Sequence, residues 1–219
     1  PRSPSYYKTF FEKAGFVKHA GWNSWDIPKQ FFESMKQYMD GQIEKIKPLD
    51  GSIFFQNFFD LNHFASEMAK LYPIALETYR ENYGFSKIEV EEFVQVYTPL
   101  KYFTTSDFFS YYTDENSVIA GFCFGLLDYA HALIKLNGDI SKLPSVFAEP
   151  PKRVVFHTFG ILKDYRKSSL AYLVFQYALN YMLNSNFEGA IGALAKEGRT
   201  AYDQLGKPTR SYMIYEKVI

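Results

Sequence analysis

The sequence predicts a mixed α/β fold, with one sheet of mostly antiparallel strands and helices on both of its faces. Strand-like apolar runs alternate along the chain with segments whose apolar residues recur at helical spacing. Two β-rich runs, 107–112 and 116–129, are joined by the turn Asp114-Glu115-Asn116, which is typical of an antiparallel hairpin. The 219 residues, of which 47% are hydrophobic, suffice for one sizeable core.

Charge and composition exclude several classes of partner. Lys and Arg total 24 and Asp and Glu total 24, so no overall field favours nucleic acid or an anionic membrane. The apolar runs are shorter than the roughly 20 residues of a membrane helix, and no leader pattern is seen. A single cysteine, Cys123, fits a reducing compartment. We therefore expect a cytoplasmic protein with neither a membrane nor a nucleic-acid partner.

The N-terminal part is predicted to be separate from the main domain. Residues 1–28 are either the tail of a preceding unit of the same kind or an arm that packs on this domain. Residues 29–50 are predicted as a linking helix, and the main domain as 51–219. It opens with a strand at 52–58 and a helix from Leu61 to Tyr79, in which Pro73 predicts a kink or break near Tyr72.

The later elements follow the same alternation. After a helix at 89–98 and the hairpin, the segment 141–151 contains three prolines and is predicted as a loop. The helix 170–183 is apolar on nearly every face and is expected to be almost wholly buried. The remaining predicted strands are 154–162, 188–194 and 211–218.

A polar turn between the strand 154–162 and the helix 170–183 has the pattern of an anion site. Unpaired backbone N–H groups at the start of a helix attract phosphate. The turn, Arg166-Lys167-Ser168-Ser169-Leu170-Ala171, resembles the coenzyme loop Arg/Gln-x-x-Gly-x-Gly/Ala of the GNAT superfamily of acyl-CoA-dependent N-acyltransferases. Arg166 and Ala171 fit that pattern, whereas Ser169 stands where the family usually has glycine. Seen alone, the same residues are also compatible with a solvated surface turn.

The C-terminal part adds to the resemblance, which covers residues 51–219 in the family's order of elements. Tyr202 precedes Leu205-Gly206 with the family's spacing, and the last strand holds Tyr212-Met213-Ile214-Tyr215-Glu216-Lys217. Ala195 takes the place of a frequent asparagine. The resemblance implies a GNAT-like sheet whose fourth and fifth strands splay apart, and it suggests that the chain is the C-terminal domain of a tandem GNAT-like protein.

The resemblance also implies where the coenzyme binds. The thioester carbonyl would meet a backbone N–H of the fourth strand, for which Ile161 is preferred, and Tyr202 would protonate the departing thiolate. The implied coenzyme-binding residues are Phe159, Gly160, Ile161, Arg166, Lys167, Ser168, Ser169, Leu170 and Ala171. Acetyl-CoA or another acyl-CoA is the expected co-substrate. No metal is expected, because the four histidines and one cysteine lack zinc-site spacing.

Three further residues are candidates with an ordinary structural alternative. His157 has an unperturbed pKa near 6.5 that suits a general base, but it is also explained as a structural residue of the strand. Asp128 and Tyr129 would face the acceptor amine or would simply cap the third strand. Tyr202 would equally serve as a core tyrosine.

The sequence thus predicts an acyl-CoA-dependent N-acyltransferase, in particular an N-acetyltransferase, acting by direct attack of an amine on the thioester. The alternative is a catalytically impaired GNAT-fold module that binds a partner. The expected partners are the coenzyme A thioester and an amine acceptor, and an aromatic-rich surface or an edge strand would support a homodimer.

Overall fold

The computed structural model describes residues 3–46, 55–198 and 206–217. In these ranges the chain forms seven strands and seven α-helices, several of them joined by short 3-10 turns. The strands are β1 (Val17–Pro28), β2 (Phe55–Phe58), β3 (Phe109–Thr113), β4 (Ile119–Leu127), β5 (Arg153–Ile161), β6 (Gly189–Lys196) and β7 (Arg210–Glu216). The helices are α1 (Tyr6–Lys13), α2 (Phe32–Lys45), α3 (Phe64–Tyr79), α4 (Val90–Tyr97), α5 (Ala130–Lys135), α6 (Leu143–Val146) and α7 (Leu170–Leu183).

Two compact units are present, and the smaller joins the two ends of the chain. It comprises Pro1–Asp26 and Gly192–Ile219. Within it β1 lies between β6 and β7, and β1 pairs antiparallel with β7. The buried Trp25 donates from Nε1 to the Gly206 carbonyl at 3.0 Å. The division of the sequence at residues 28 and 50 remains a prediction.

The larger unit, Ile27–Ile191, contains most of the sheet. Its strands follow the order β2-β3-β4-β5, with the first residues of β6 next to β5, and the β2–β3, β3–β4 and β4–β5 pairs are antiparallel. The predicted hairpin of β3 and β4 is therefore confirmed. The Glu188 N–H donates to the Lys152 carbonyl at 2.7 Å just before β6 and β5 begin, so these two strands run in the same direction.

Helices cover both faces of this sheet, and the predicted mixed α/β architecture is confirmed. On one face α3 and α4 bury a ring-rich core, formed by Phe59, Phe64, Met68, Leu71, Ile74, Ala75, Phe93, Phe109, Tyr111, Phe122 and Phe124. On the other face α7 packs so closely that a Cβ at Gly121 would lie 3.3 Å from Val174 Cγ2. No residue of α7 is fully exposed, but only five of its 14 residues are buried, so the helix is less enclosed than its apolar composition predicts.

The structure departs from the predicted elements in two places. Helix α3 continues through Pro73, so of the predicted kink or break the break does not occur, because packing against the core outweighs the loss of one backbone donor. The stretch predicted as a loop contains α6, which tolerates Pro144 in its first turn, and α5 precedes it. The first strand is described only from Phe55, since residues 47–54 lie outside the described ranges.

Candidate functional site

Strand β5 carries a bulge beside its partner β4. Gly125 pairs with Phe156 and Phe124 pairs with Thr158, so His157 is the extra residue on β5. A bulge bends its strand and increases the local twist. The half of β5 from Thr158 to Ile161 is therefore turned relative to the half that precedes it.

The register fixes which backbone groups of β5 point away from β4. The Leu162 N–H donates to the Ala120 carbonyl at 2.9 Å, and Gly160 lies opposite Phe122 in the same register. Because these groups alternate along an antiparallel strand, the N–H and C=O of Phe159 and Ile161 point to the other edge. The amide of Ile161, which sequence reasoning selected as a donor, thus lies on the edge away from β4.

Side chains bind the carbonyls on this outer edge. The Tyr79 hydroxyl donates to the Phe159 carbonyl at 3.3 Å, and Arg166 Nε donates to the Ile161 carbonyl at 3.1 Å. Burial raises the pKa of Tyr79, so its hydroxyl keeps its proton and acts as a donor. Two donors from outside the sheet therefore occupy carbonyls that an adjacent strand would otherwise use.

In the loop between β5 and α7, every second backbone N–H from Arg166 to Ala171 donates a hydrogen bond within the chain. The N–H groups of Arg166 and Ser168 donate to the carbonyls of Lys163 and Tyr165 at 3.3 and 3.1 Å, and the Leu170 N–H donates to Ser168 Oγ at 3.1 Å. The amides of Lys167, Ser169 and Ala171 make no such bond within the described part of the chain. Three amides at the start of an apolar helix are thus left for another acceptor.

The two serines of the loop differ in burial and in hydrogen bonding. Ser168 is 5% exposed, and its hydroxyl donates to the Tyr165 carbonyl at 2.6 Å. Ser169 is half-buried, with φ −65° and ψ −12°, which is an ordinary right-handed conformation. The backbone at Ser169 therefore does not require the left-handed freedom of glycine, so only the added Cβ distinguishes it from the family's residue.

The loop and the turn before it carry three positively charged side chains. Lys163, Arg166 and Lys167 are all exposed, and Asp164 is the acidic residue within the same stretch. The N-terminus of α7 adds about half a positive charge at its end. The loop therefore combines free amides with local positive charge, which suits a phosphate group rather than a cation.

His157 lies on the bulge and is partly enclosed by protein. Its Nδ1 is 2.6 Å from Thr158 Oγ1, and its ring centre is 5.9 Å from that of Phe124. The side chain retains solvent access, yet the surrounding protein lowers the pKa of the imidazole, because burial penalises the cation. The neutral form needed for accepting a proton is thereby favoured.

Asp128 and Tyr129 lie at the opposite end of β5 from the loop. The Asp128 N–H donates to the Arg153 carbonyl at 2.8 Å, and its Oδ1 accepts from the Ala130 N–H at 3.0 Å, which caps α5. Tyr129 packs its ring against Phe103 and Phe147. At about 3.3 Å per residue, this end is roughly 26 Å along the strand from Ile161. The structure does not bring these two residues to the loop.

The remaining predictions are answered only in part. Tyr202 lies outside the described residues. Cys123 is buried and burial raises the pKa of its thiol to about 12, so it is an inert core residue. In the described ranges no three potential metal ligands are grouped together, and no helix is both long and apolar enough to traverse a bilayer.

Sequence reasoning missed three polar residues around the loop. Tyr79 is the last residue of α3, Asp114 lies in the β3–β4 turn, and Tyr165 lies in the 3-10 turn before Arg166. Each reaches the loop or β5 through a contact over many residues of sequence. No local pattern marks such contacts, although the position of Tyr165 beside Arg166 was a weak signal.

Comparison with known proteins identifies the fold. No profile of a known protein family matches the sequence, and no curated protein matches it. A solved GCN5-related N-acetyltransferase from Sphaerobacter thermophilus superposes with a TM-score of 0.57 at 12% identity, covering 97% of this chain and 56% of that chain.

Two further solved structures are similar to the same extent. One is described as a GCN5-related glucosamine N-acetyltransferase region of a fungal multi-domain GH3 β-N-acetylglucosaminidase, with a TM-score of 0.56, 14% identity and coverage of 98% and 23%. The other is a tandem GNAT protein from the clavulanic acid biosynthesis pathway, with a TM-score of 0.53, 8% identity and coverage of 98% and 59%. The chain spans less than two thirds of each protein. It has the GNAT fold, as the sequence resemblance predicts.

Proposed function

We propose that the chain is an acyl-CoA-dependent N-acyltransferase that moves an acyl group, in the simplest case acetyl, from a coenzyme A thioester to an amine. The observation that carries this proposal is the alternation of amides in the loop, where those of Lys167, Ser169 and Ala171 have no partner in the described chain. Free amides, three exposed cations and a helix N-terminus fit the diphosphate of coenzyme A. The GNAT fold of the sheet supports the same assignment.

The position of Arg166 limits where the thioester would lie. Its bond to the Ile161 carbonyl keeps Ile161 beside the loop that would hold the diphosphate. The pantetheine arm separates the thioester from the diphosphate by a long chain of atoms, so the reacting carbonyl belongs nearer the bulge. We therefore assign the Phe159 N–H, which points to the same edge as that of Ile161, as the better-placed donor to the carbonyl oxygen.

We assign the two proton transfers to His157 and Tyr202. His157 lies two residues, or about 7 Å, before Phe159 on the strand, and its neutral imidazole would accept the proton of the attacking amine. Tyr202 would donate a proton to the sulfur of the departing coenzyme. The bound acyl-CoA supplies the activated acyl group, and the chain supplies position, an oxyanion donor and proton carriers.

Binding of coenzyme A tests the proposal first. Titration calorimetry with coenzyme A is expected to give micromolar affinity for the wild type and no measurable heat for Arg166→Glu, which reverses a charge beside the free amides. Lys101→Glu reverses the charge of a remote cation, whose Nζ lies 5.1 Å from the Tyr102 ring centre, and is expected to bind like the wild type. A wild type that does not bind coenzyme A would refute the proposal.

A binding module is the second candidate, because Ser168 already occupies the Leu170 amide and Ser169 adds a Cβ to the loop. The two functions are separated by release of free thiol from acetyl-CoA in the presence of a panel of amines. An enzyme would release thiol with at least one amine, and Tyr202→Phe would lose turnover while keeping affinity for coenzyme A. Tight binding without turnover on any amine would favour the module.

A further inference from the structure

The β3–β4 turn is connected to the loop before α7 by a hydrogen bond between side chains. Asp114 Oδ1 accepts from the amides of Asn116 and Val118, both at 2.9 Å, and this fixes the carboxylate within its turn. Its Oδ2 accepts from the Tyr165 hydroxyl at 3.3 Å. The carboxylate therefore holds Tyr165 in place from a separate element of the sheet.

Tyr165 in turn organises the loop through its carbonyl. That single oxygen accepts both the amide and the hydroxyl of Ser168, at 3.1 and 2.6 Å. The Ser168 hydroxyl then accepts the Leu170 amide at 3.1 Å. The series of contacts runs from Asp114 through Tyr165 and Ser168 to the first residue of α7, and we refer to it as the Asp114–Leu170 relay.

The relay explains why the loop amides alternate. The amides of Ser168 and Leu170 are bonded to members of the relay, whereas those of Lys167, Ser169 and Ala171 have no partner in the described part of the chain. A loop held in this conformation before binding loses less conformational freedom when an anion arrives. The arrangement is a preformed cradle rather than one that the ligand must order.

We propose that Asp114, Tyr165 and Ser168 are positioning residues that preset the loop for the diphosphate of coenzyme A. The inference rests on the proposed function, because it assigns the loop to that ligand. None of the three residues has to touch the ligand: Ser168 is buried, and Tyr165 and Asp114 act through it. The negative charge of the Asp114 carboxylate is stabilised by its three hydrogen-bond donors.

Two ligands provide the test, of which only one carries the diphosphate and the nucleotide attached to it. Coenzyme A carries them and pantetheine does not, so a change in the loop alone should affect only coenzyme A. Tyr165→Phe removes one hydroxyl, and the dissociation constant for coenzyme A is expected to rise about three- to tenfold, the range that follows from losing one hydrogen bond. Ser168→Ala should produce a rise of similar size, while binding of pantetheine stays unchanged in both variants.

Hydrogen exchange supplies a second measurement that needs no ligand. The amides of Ser168 and Leu170 are expected to exchange faster in Tyr165→Phe than in the wild type, and amides of the ring-rich core on α3 are expected to be unchanged. Tyr102→Phe, which removes a hydroxyl from a tyrosine that is 63% exposed, serves as the matched control and should behave as the wild type in both measurements.

The outcomes distinguish this inference from the proposed function. If the wild type binds coenzyme A and Tyr165→Phe binds it equally well, or loses affinity for both ligands alike, the relay does not preset the loop. If the wild type binds no coenzyme A, the proposed function fails, and the exchange data decide on the relay by themselves. Unchanged protection of Ser168 and Leu170 would then overturn it.

Discussion

For His157, the local environment bears directly on the proposed role of the side chain as a general base. Its ring stands on the β5 bulge near Phe124, and the surrounding protein lowers the pKa of the imidazole from its ordinary 6.5. The physical cause is the loss of hydration of the imidazolium, which the nearby Thr158 hydroxyl does not replace with a negative charge. A base on this strand would consequently stay neutral in mildly acidic solution.

We expect the Cε1–H resonance of His157 to titrate with a midpoint below 6.5 in an NMR pH series. The unfolded chain takes up this proton at higher pH than the folded chain does. The contribution of His157 to the free energy of unfolding is therefore present above pH 6.5 and declines as the pH falls from there towards the folded-state pKa. His157→Gln assigns the resonance and removes this dependence, and a midpoint at or above 6.5 would contradict the prediction.

At the scale of single elements, two glycines differ in the space that their surroundings leave for an added methyl group. A Cβ at Gly125 of β4 would lie 1.5 Å from Cδ1 of Phe108, which is 1% exposed and packs near Phe156 and Tyr181. A Cβ at Gly41, inside α2, would meet nothing within 4 Å. The strand has no room for a side chain at this point, whereas the helix has.

Gly125→Ala is expected to lower the free energy of unfolding by about 1–3 kcal/mol or more, because a ring without free space must move. Gly41→Ala is expected to raise it by roughly 0.5–1 kcal/mol, since alanine restricts the unfolded chain and favours the helix. Urea unfolding followed by circular dichroism measures both. Equal effects of the two substitutions, or a stable Gly125→Ala protein, would show that Phe108 is not held as the structure places it.

Individual elements were predictable where one segment carries its own signal. The boundaries predicted for α7 agree with the structure, because its apolar run is bounded by two serines and by Asn184. The connection after β4 was not resolved from sequence, since the three prolines in 141–151 predict a loop, although Pro144 fits the first turn of a helix. The caps that Asp128 and Asp139 provide were the signals that would have indicated helical turns there.

At the scale of the whole molecule, sequence reasoning reached the fold class but not the long-range pairing of strands. The antiparallel contact of β1 with β7 joins residues such as Val17 and Glu216, almost two hundred positions apart. Periodicity reports which face of a strand is buried and is silent on which strand lies beside it. For the same reason the loop before α7 could be proposed as an anion site from its own residues, whereas the contacts of Tyr79 with β5 and of Asp114 with Tyr165 could not be foreseen.

The balance of charges over the molecule leads to a prediction about salt. Basic and acidic residues are equal in number, so no net charge draws an anionic coenzyme towards the chain from a distance. Attraction must come from the exposed cations of the loop, Lys163, Arg166 and Lys167. Salt screens such exposed charges strongly, because the Debye length shortens from about 10 Å at 0.1 M to about 3 Å at 1 M.

The dissociation constant for coenzyme A is therefore expected to rise several-fold as sodium chloride is raised from roughly 0.1 M to roughly 1 M, since the loop cations are screened over this range. Arg166→Gln should weaken binding at low salt and flatten this dependence, because one of the three cations is gone. Lys101→Gln removes a remote cation and should leave the slope as it is. If both substitutions changed the slope equally, the attraction would be a property of the whole surface rather than of the loop, and the assignment of the diphosphate to Arg166 and its neighbours would fall.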